Sequence, residues 1–148
     1  MSVLALLRGR GPAGLPPATP LDFGRLELPA SPNAALLAPP GGTGQTHIAL
    51  PLLPVSPGAA WAALRMLGAA EPRCWTLAEW PELRQAQWVV RSRLANFPDI
   101  VVGQAVPLTG GTGVFLYSRS LIGHSDFGVN RRRILAWRAR LDELLRTS

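Results

Sequence analysis

The chain has no lysine, one cysteine, one tyrosine and few carboxylates. The single cysteine, Cys74, excludes an intrachain disulfide. With only His47 and His124 to join it, there are too few ligands for an ordinary structural zinc site, and no metal or other cofactor is expected. Long apolar runs are missing as well. The opening Met-Ser-Val-Leu-Ala-Leu-Leu is far shorter than the roughly 20 residues that span a bilayer. It also lacks the charged leader and cleavage pattern of a secretory signal. It can at most lie in an interface, with Leu4, Leu6 and Leu7 in lipid and Arg8 and Arg10 at headgroups; a locally packed terminus is the plainer reading.

What is present is a 148-residue chain, 47% apolar and 16% charged, which suits one domain with a real core. Fifteen basic residues, all arginine, face nine acidic ones, giving a net charge of +6. This excludes an acidic solubilising protein. It directs attention to anionic partners, because a guanidinium stays charged and grips carboxylates or phosphates with two parallel hydrogen bonds.

Of the 15 prolines, 11 precede residue 60. Residues 1–46 are therefore expected to form an extended Pro/Gly-rich strap, irregular over 8–46, that lays apolar beads such as Leu21, Phe23 and Leu26 across a single domain at 47–148. The Gly41–Thr46 stretch resembles a phosphate loop only superficially: it has no lysine and no preceding strand, so a flexible turn is expected. His47–Leu53 reads as a strand, placed at an edge by Pro51. Ser56-Pro57 starts a helix that runs to about Ala70. Cys74–Ala78 reads as a short strand. Gln85–Leu94 alternates, with Ala86, Trp88, Val90, Ser92 and Leu94 on one face and Gln85, Gln87, Val89, Arg91 and Arg93 on the other. Ile100–Leu108 and Val114–Ile122 form a hairpin across Thr109–Gly113. Ser125 or Asp126 caps a long helix to about Leu145, with Phe127, Ile134, Trp137 and Leu141 on its apolar stripe. The expected fold class is α+β: an antiparallel sheet of four to five strands with two helices on one face.

No catalytic signature is evident. Asp126-Phe127-Gly128 matches a kinase tripeptide without the other kinase signatures, and His124-Ser125-Asp126 lacks a nucleophile elbow. Cys74, beside Trp75 in an apolar strand, reads as buried and inert. The arginines are more informative. Arg91 and Arg93 share a strand face, Arg119 occupies the polar face of the last strand, and Arg131, Arg132 and Arg133 open the last helix, where the macrodipole disfavours cations. Either Asp99 and Asp126 pair with these arginines to fix helix to sheet, or surplus guanidinium groups form an anion site.

The same segments carry a resemblance. Trp88-Val-Val-Arg-Ser-Arg93, Phe97-Pro-Asp99, Tyr117-Ser-Arg-Ser120 and Gly123-His-Ser-Asp-Phe-Gly-Val-Asn-Arg-Arg-Arg133 resemble the bacterial family called domain of unknown function 1499. Many members have a cysteine where this chain has Ala34, and many carry an N-terminal membrane span or lipoprotein signal whose pattern is not seen here. The family implies no activity, so no catalytic residue is carried over.

These readings lead to three expectations. The first is a non-enzymatic binding or accessory domain, cytoplasmic, either free or peripheral on the inner membrane. It would present Arg91, Arg93, Arg119, Asp126, Asn130 and Arg131 to an anionic small molecule, a lipid headgroup or a protein partner; nucleic acid is not favoured, since no nucleic-acid motif is present. The second is a small hydrolase or isomerase using Asp126, His124 or Asp99 as acid–base groups. The third is a structural subunit docking through the strap.

Overall fold

The structure is a computed structural model that describes residues 2–41 and 45–147. The middle of the glycine-rich turn at Gly41–Thr46 lies outside the described residues. The chain forms a short helix α1 (Val3–Arg8), strands β1 (Ala34–Ala38) and β2 (Ile48–Ala49), and helix α2 (Pro57–Arg65). Strands β3 (Cys74–Trp80), β4 (Gln85–Arg91), β5 (Pro98–Leu108) and β6 (Gly111–Ser120) follow, and then α3 (Val129–Arg146). The sheet order is β2-β1-β6-β5-β4-β3, antiparallel throughout except for the parallel β1–β2 pair.

The fold is α+β, but its sheet has six strands and is mixed. The strand that was not expected is β1, inside the proline-rich segment. Its Ala-Ala-Leu-Leu-Ala sequence has no alternation because both of its faces are covered. Ala35 and Leu37 join the core under the helices, while Leu36 and Ala38 join the core on the opposite face. A strand buried on both sides reads as a continuous apolar run, which periodicity does not reveal. The expected His47–Leu53 strand shrinks to Ile48–Ala49, at the sheet edge, before Pro51 interrupts it.

Local chemistry accounts for the helix starts. The Ser56 hydroxyl accepts the Ala59 N–H, with Pro57 in the first turn. The Asp126 carboxylate accepts the backbone N–H groups of Gly128 and Asn130 at the mouth of α3. Helices α2 and α3 cover one face of the sheet, burying Leu64, Ile134, Trp137 and Leu141 against Trp88, Val101 and Leu116. Trp88 and Trp137 meet edge to face, with ring centroids 5.1 Å apart.

The other face is covered by the proline-rich segment, where Phe23 stacks on Phe115. This cover has few backbone partners of its own, so side chains of the sheet supply them. Gln85 exchanges two hydrogen bonds of 2.8 Å with the Leu21 backbone, and Gln87 donates to the Thr19 carbonyl. The alternation read in β4 therefore assigns the two faces correctly up to Arg91. Beyond it the strand ends, and Ser92, Arg93 and Leu94 lie exposed in a turn rather than continuing the pleat.

Candidate functional site

One end of the sheet gathers the last residues of β4 and β6, the first of β5 and the mouth of α3. The β4–β5 turn runs from Ser92 to Phe97, closed by the Ser92 N–H donating to the Phe97 carbonyl and the Phe97 N–H donating to the Ser92 hydroxyl. The Leu121 N–H donates to the Pro98 carbonyl, so the β6–α3 loop emerges beside that turn. Helix α1 is attached here as well: the Asn96 side-chain amide donates to the carbonyls of Leu7 and Gly9, each at 2.7 Å.

Arg91 is 2% exposed and directed into the protein. Its guanidinium donates to the carbonyls of Leu6, Gly11, Ala13 and Asn96. It anchors the N-terminal segment to the sheet. Burial, with the like charge of Arg73 added, pulls its pKa down from the usual arginine value.

Asn130 and Arg133 form a second inward junction, between α3 and the sheet. Arg133 ion-pairs with Asp99 at 2.9 Å and Glu71 at 3.3 Å, and donates to the Ser118 hydroxyl. Trp137 Nε1 donates to the other Glu71 oxygen. Asn130, fully buried, donates to Asp126, to the Ser120 hydroxyl and to the Asn33 carbonyl, while its own oxygen accepts from Ser118 and Arg133. Burial raises the Asp99 carboxyl above its ordinary value, against the opposing pull of the Arg133 charge. For Asp126 burial also acts upward, but hydrogen bonds from Asn130 and from the Gly128 and Asn130 amides outweigh it and set the group below its ordinary value. Burial, reinforced by Glu71 and opposed by Arg133, pushes the nearby Cys74 thiol up to about 12, far from a thiolate at neutral pH.

The expected convergence of Arg91, Arg93 and Arg119 beside the start of α3 is not what the structure shows. Arg91 and Arg119 lie on the sheet face opposite the helices, Arg91 buried and Arg119 exposed, and Arg93 lies in the exposed turn. The guanidinium that reaches Asp99 is that of Arg133. Asp126 and Asn130 are brought together, but with each other. Arg131 is exposed and lines a shallow depression with Asp126, Ser125 and His47. His124 is exposed in the β6–α3 loop. The signal for Arg133 was available: it lies three residues after Asn130 and four before Trp137, on the inward side of α3, whereas Arg131 does not.

Phe127, expected on the apolar stripe of α3, does not sit there. It precedes the helix at a left-handed φ of 53° and is 87% exposed. Leu94, at the tip of the neighbouring turn, is 98% exposed. Phe97, Val3 and Leu4 are exposed at the same end. Arg93 adjoins Leu94 in the turn, and Arg131 and Arg132 follow Phe127 at the start of α3; like Arg8, Arg10 and Arg73 they are exposed and without an ion-pair partner among the described residues. The carboxylates of this end, Glu71, Asp99 and Asp126, are held by Arg133 and Asn130. The others lie elsewhere: Glu79 and Glu82 around the β3–β4 connection, Asp142 and Glu143 late in α3, and Asp22 and Glu27 on the strap.

The family described as Protein of unknown function (DUF1499) matches residues 26–141. The chain belongs to this family. The matched region begins within the proline-rich segment and so includes β1. The motif residues Ser118, Ser120, Asp126, Asn130 and Asp99 form the polar junction between α3 and the sheet. Among solved structures, protein CV1439 from Chromobacterium violaceum is similar at 14% identity and a TM-score of 0.40, over 77% of this chain and 96% of that one. No curated protein matches the sequence. No helix among the described residues is long and apolar enough to cross a membrane, and no group of three potential metal ligands occurs among them.

Proposed function

We propose that this is a non-enzymatic accessory domain that docks end-on to a surface of anionic lipid. The observation that carries this reading is the exposure of Leu94, Phe97 and Phe127 beside Arg93, Arg131 and Arg132, which are exposed and without an ion-pair partner among the described residues. Large apolar side chains standing free at loop tips contribute nothing to the core, and an aromatic side chain at a positive φ is a local cost to the fold. Inserted into the acyl boundary they gain buried area, while arginines near an anionic surface contribute about 1 kcal/mol each. Of the residues expected to bind an anion, Arg93 and Arg131 belong to this rim. Arg91, Asp126 and Asn130 support it from inside.

Co-sedimentation with vesicles tests the proposal. The protein should bind phosphatidylcholine vesicles containing phosphatidylglycerol, and pure phosphatidylcholine vesicles weakly. Leu94→Glu with Phe97→Glu should lower partitioning at least tenfold without changing the thermal midpoint, because both side chains are exposed. Equal binding by parent and variant would overturn the reading. So would binding to duplex DNA at the same ionic strength that exceeds vesicle binding and is indifferent to these substitutions.

A further inference from the structure

The strap does not close tightly on the sheet. Between them lies a cleft of about 690 Å³, within the roughly 300–1,000 Å³ range of small-molecule sites. Leu15, Leu21 and Leu26 line it from the strap, and Leu77, Ile100 and Val102 from the sheet. A proline-rich cover explains the gap. It rests on the sheet through apolar side chains such as Phe23 and through discrete side-chain bonds from Gln85, Gln87 and Arg91, with no strand pairing to close the space between them.

Two polar groups on β6 distinguish this cleft from a void. Tyr117 is only 3% exposed, and it lines the cleft. Arg119, two residues along the same strand face, also lines the cleft and makes no hydrogen bond or ion pair among the described residues. Its charge acts on Tyr117, opposing the upward effect of burial on the phenol. Glu27 borders the same space but does not pair with Arg119, so the guanidinium is not neutralised.

We infer that this cleft binds one single-chain anionic amphiphile, its acyl chain along the strap-covered strands and its carboxylate or phosphate monoester on Arg119 and Tyr117. Charge complementarity selects this occupant over an apolar peptide segment or a second copy of the chain: the apolar length ends at Arg119, an exposed cation with no ion-pair partner among the described residues, beside the Tyr117 phenol. The inference goes beyond membrane docking and stands without it, since Arg119 is not part of the rim of exposed apolar side chains.

The test is calorimetric titration and native mass spectrometry with laurate, dodecyl phosphate, dodecanol and dodecyltrimethylammonium, each below its micelle concentration and without vesicles. One laurate or dodecyl phosphate per chain is expected, bound at least tenfold more tightly than the cationic or neutral analogue. Arg119→Gln should remove that preference with an unchanged thermal midpoint, and Glu27→Gln should strengthen anion binding. Tyr117→Phe should weaken binding of dodecyl phosphate about threefold, the size of a single lost hydrogen bond. Equal binding of dodecanol, undiminished laurate binding by Arg119→Gln, or no binding of either anion would overturn the inference. The variant carrying Leu94→Glu and Phe97→Glu should bind laurate like the parent, and Arg119→Gln should bind vesicles like the parent, so each proposal can fail alone.

Discussion

Arg91 and Arg133 are buried in internal junctions, whereas Arg93 and Arg132, their near neighbours in sequence, stand exposed at the same end of the sheet. The inward pair is saturated. Arg91 holds four backbone carbonyls, and Arg133 holds two carboxylates and a hydroxyl. The outward set has no ion-pair partner among the described residues, and the exposed Leu94 and Phe127 lie next to it in sequence. One residue type thus does two jobs, and its surroundings separate them. A guanidinium enclosed by acceptors positions chain segments; one that is exposed and makes at most a local backbone contact, as Arg132 does to the Phe127 carbonyl, is available to a partner. The separation has a practical consequence. Losing an inward arginine should damage the fold, and losing an outward one should damage only binding.

The largest effect is expected at Arg133. Replacing it with Met leaves Asp99 and Glu71 without their cation in a partly buried site, which costs about 3 kcal/mol or more. Chemical denaturation should show the loss. Arg91→Ala comes next, at about 1–3 kcal/mol in all, because it strips donors from the buried Leu6 and Gly11 carbonyls, while water can replace its bond to exposed Ala13. Hydrogen exchange should quicken over residues 2–20 and remain slow in β5 and β6, since the core under the helices is untouched. Exchange that quickens uniformly would mean the strap is not a separable layer.

The outward set should respond in the opposite way. Arg93→Gln with Arg131→Gln should weaken vesicle binding by about 1 kcal/mol per arginine while stability stays within about 0.5 kcal/mol. A stability loss comparable to that of Arg91→Ala would erase the distinction between the two sets.

The smallest effect is a pH dependence at the mouth of α3. The Asp126 pKa is depressed in the folded protein, so its contribution is present above the unfolded aspartate value near 3.9 and is lost as pH falls through the lower folded value. Asp126→Asn should therefore be less stable than the parent at pH 7, by about 1 kcal/mol, because one of the two oxygens that accept from Gly128 and Asn130 becomes an NH2 donor, and the gap should narrow below pH 4. Urea midpoints at pH 7 and pH 3 give the comparison.

Much of this was legible in the sequence, and the residues that were not share a cause. Alternation in β4 and β6 places Trp88 and Leu116 under the helices and Val89 and Phe115 under the strap, because a half-patterned strand shows its two faces directly. Strand β1 does not show them, since both of its faces are buried. The Arg133 junction needed three-dimensional placement of Glu71 and Asn33, which lie 62 and 97 residues from their partners Arg133 and Asn130. The exposed Leu94 and Phe127 look like extensions of an apolar pattern. Only the ends of β4 and of the β6–α3 loop show that the pattern has stopped. The cleft has no sequence signature, because it arises from how a proline-rich cover fails to fill the space above Tyr117.

The most direct test of the account measures partitioning onto vesicles with 30% phosphatidylglycerol alongside urea stability, for the parent, Leu94→Glu/Phe97→Glu and Arg91→Ala. The account predicts that the rim variant loses at least tenfold in binding with an unchanged urea midpoint, and that Arg91→Ala loses stability. A rim variant that partitions like the parent would contradict it.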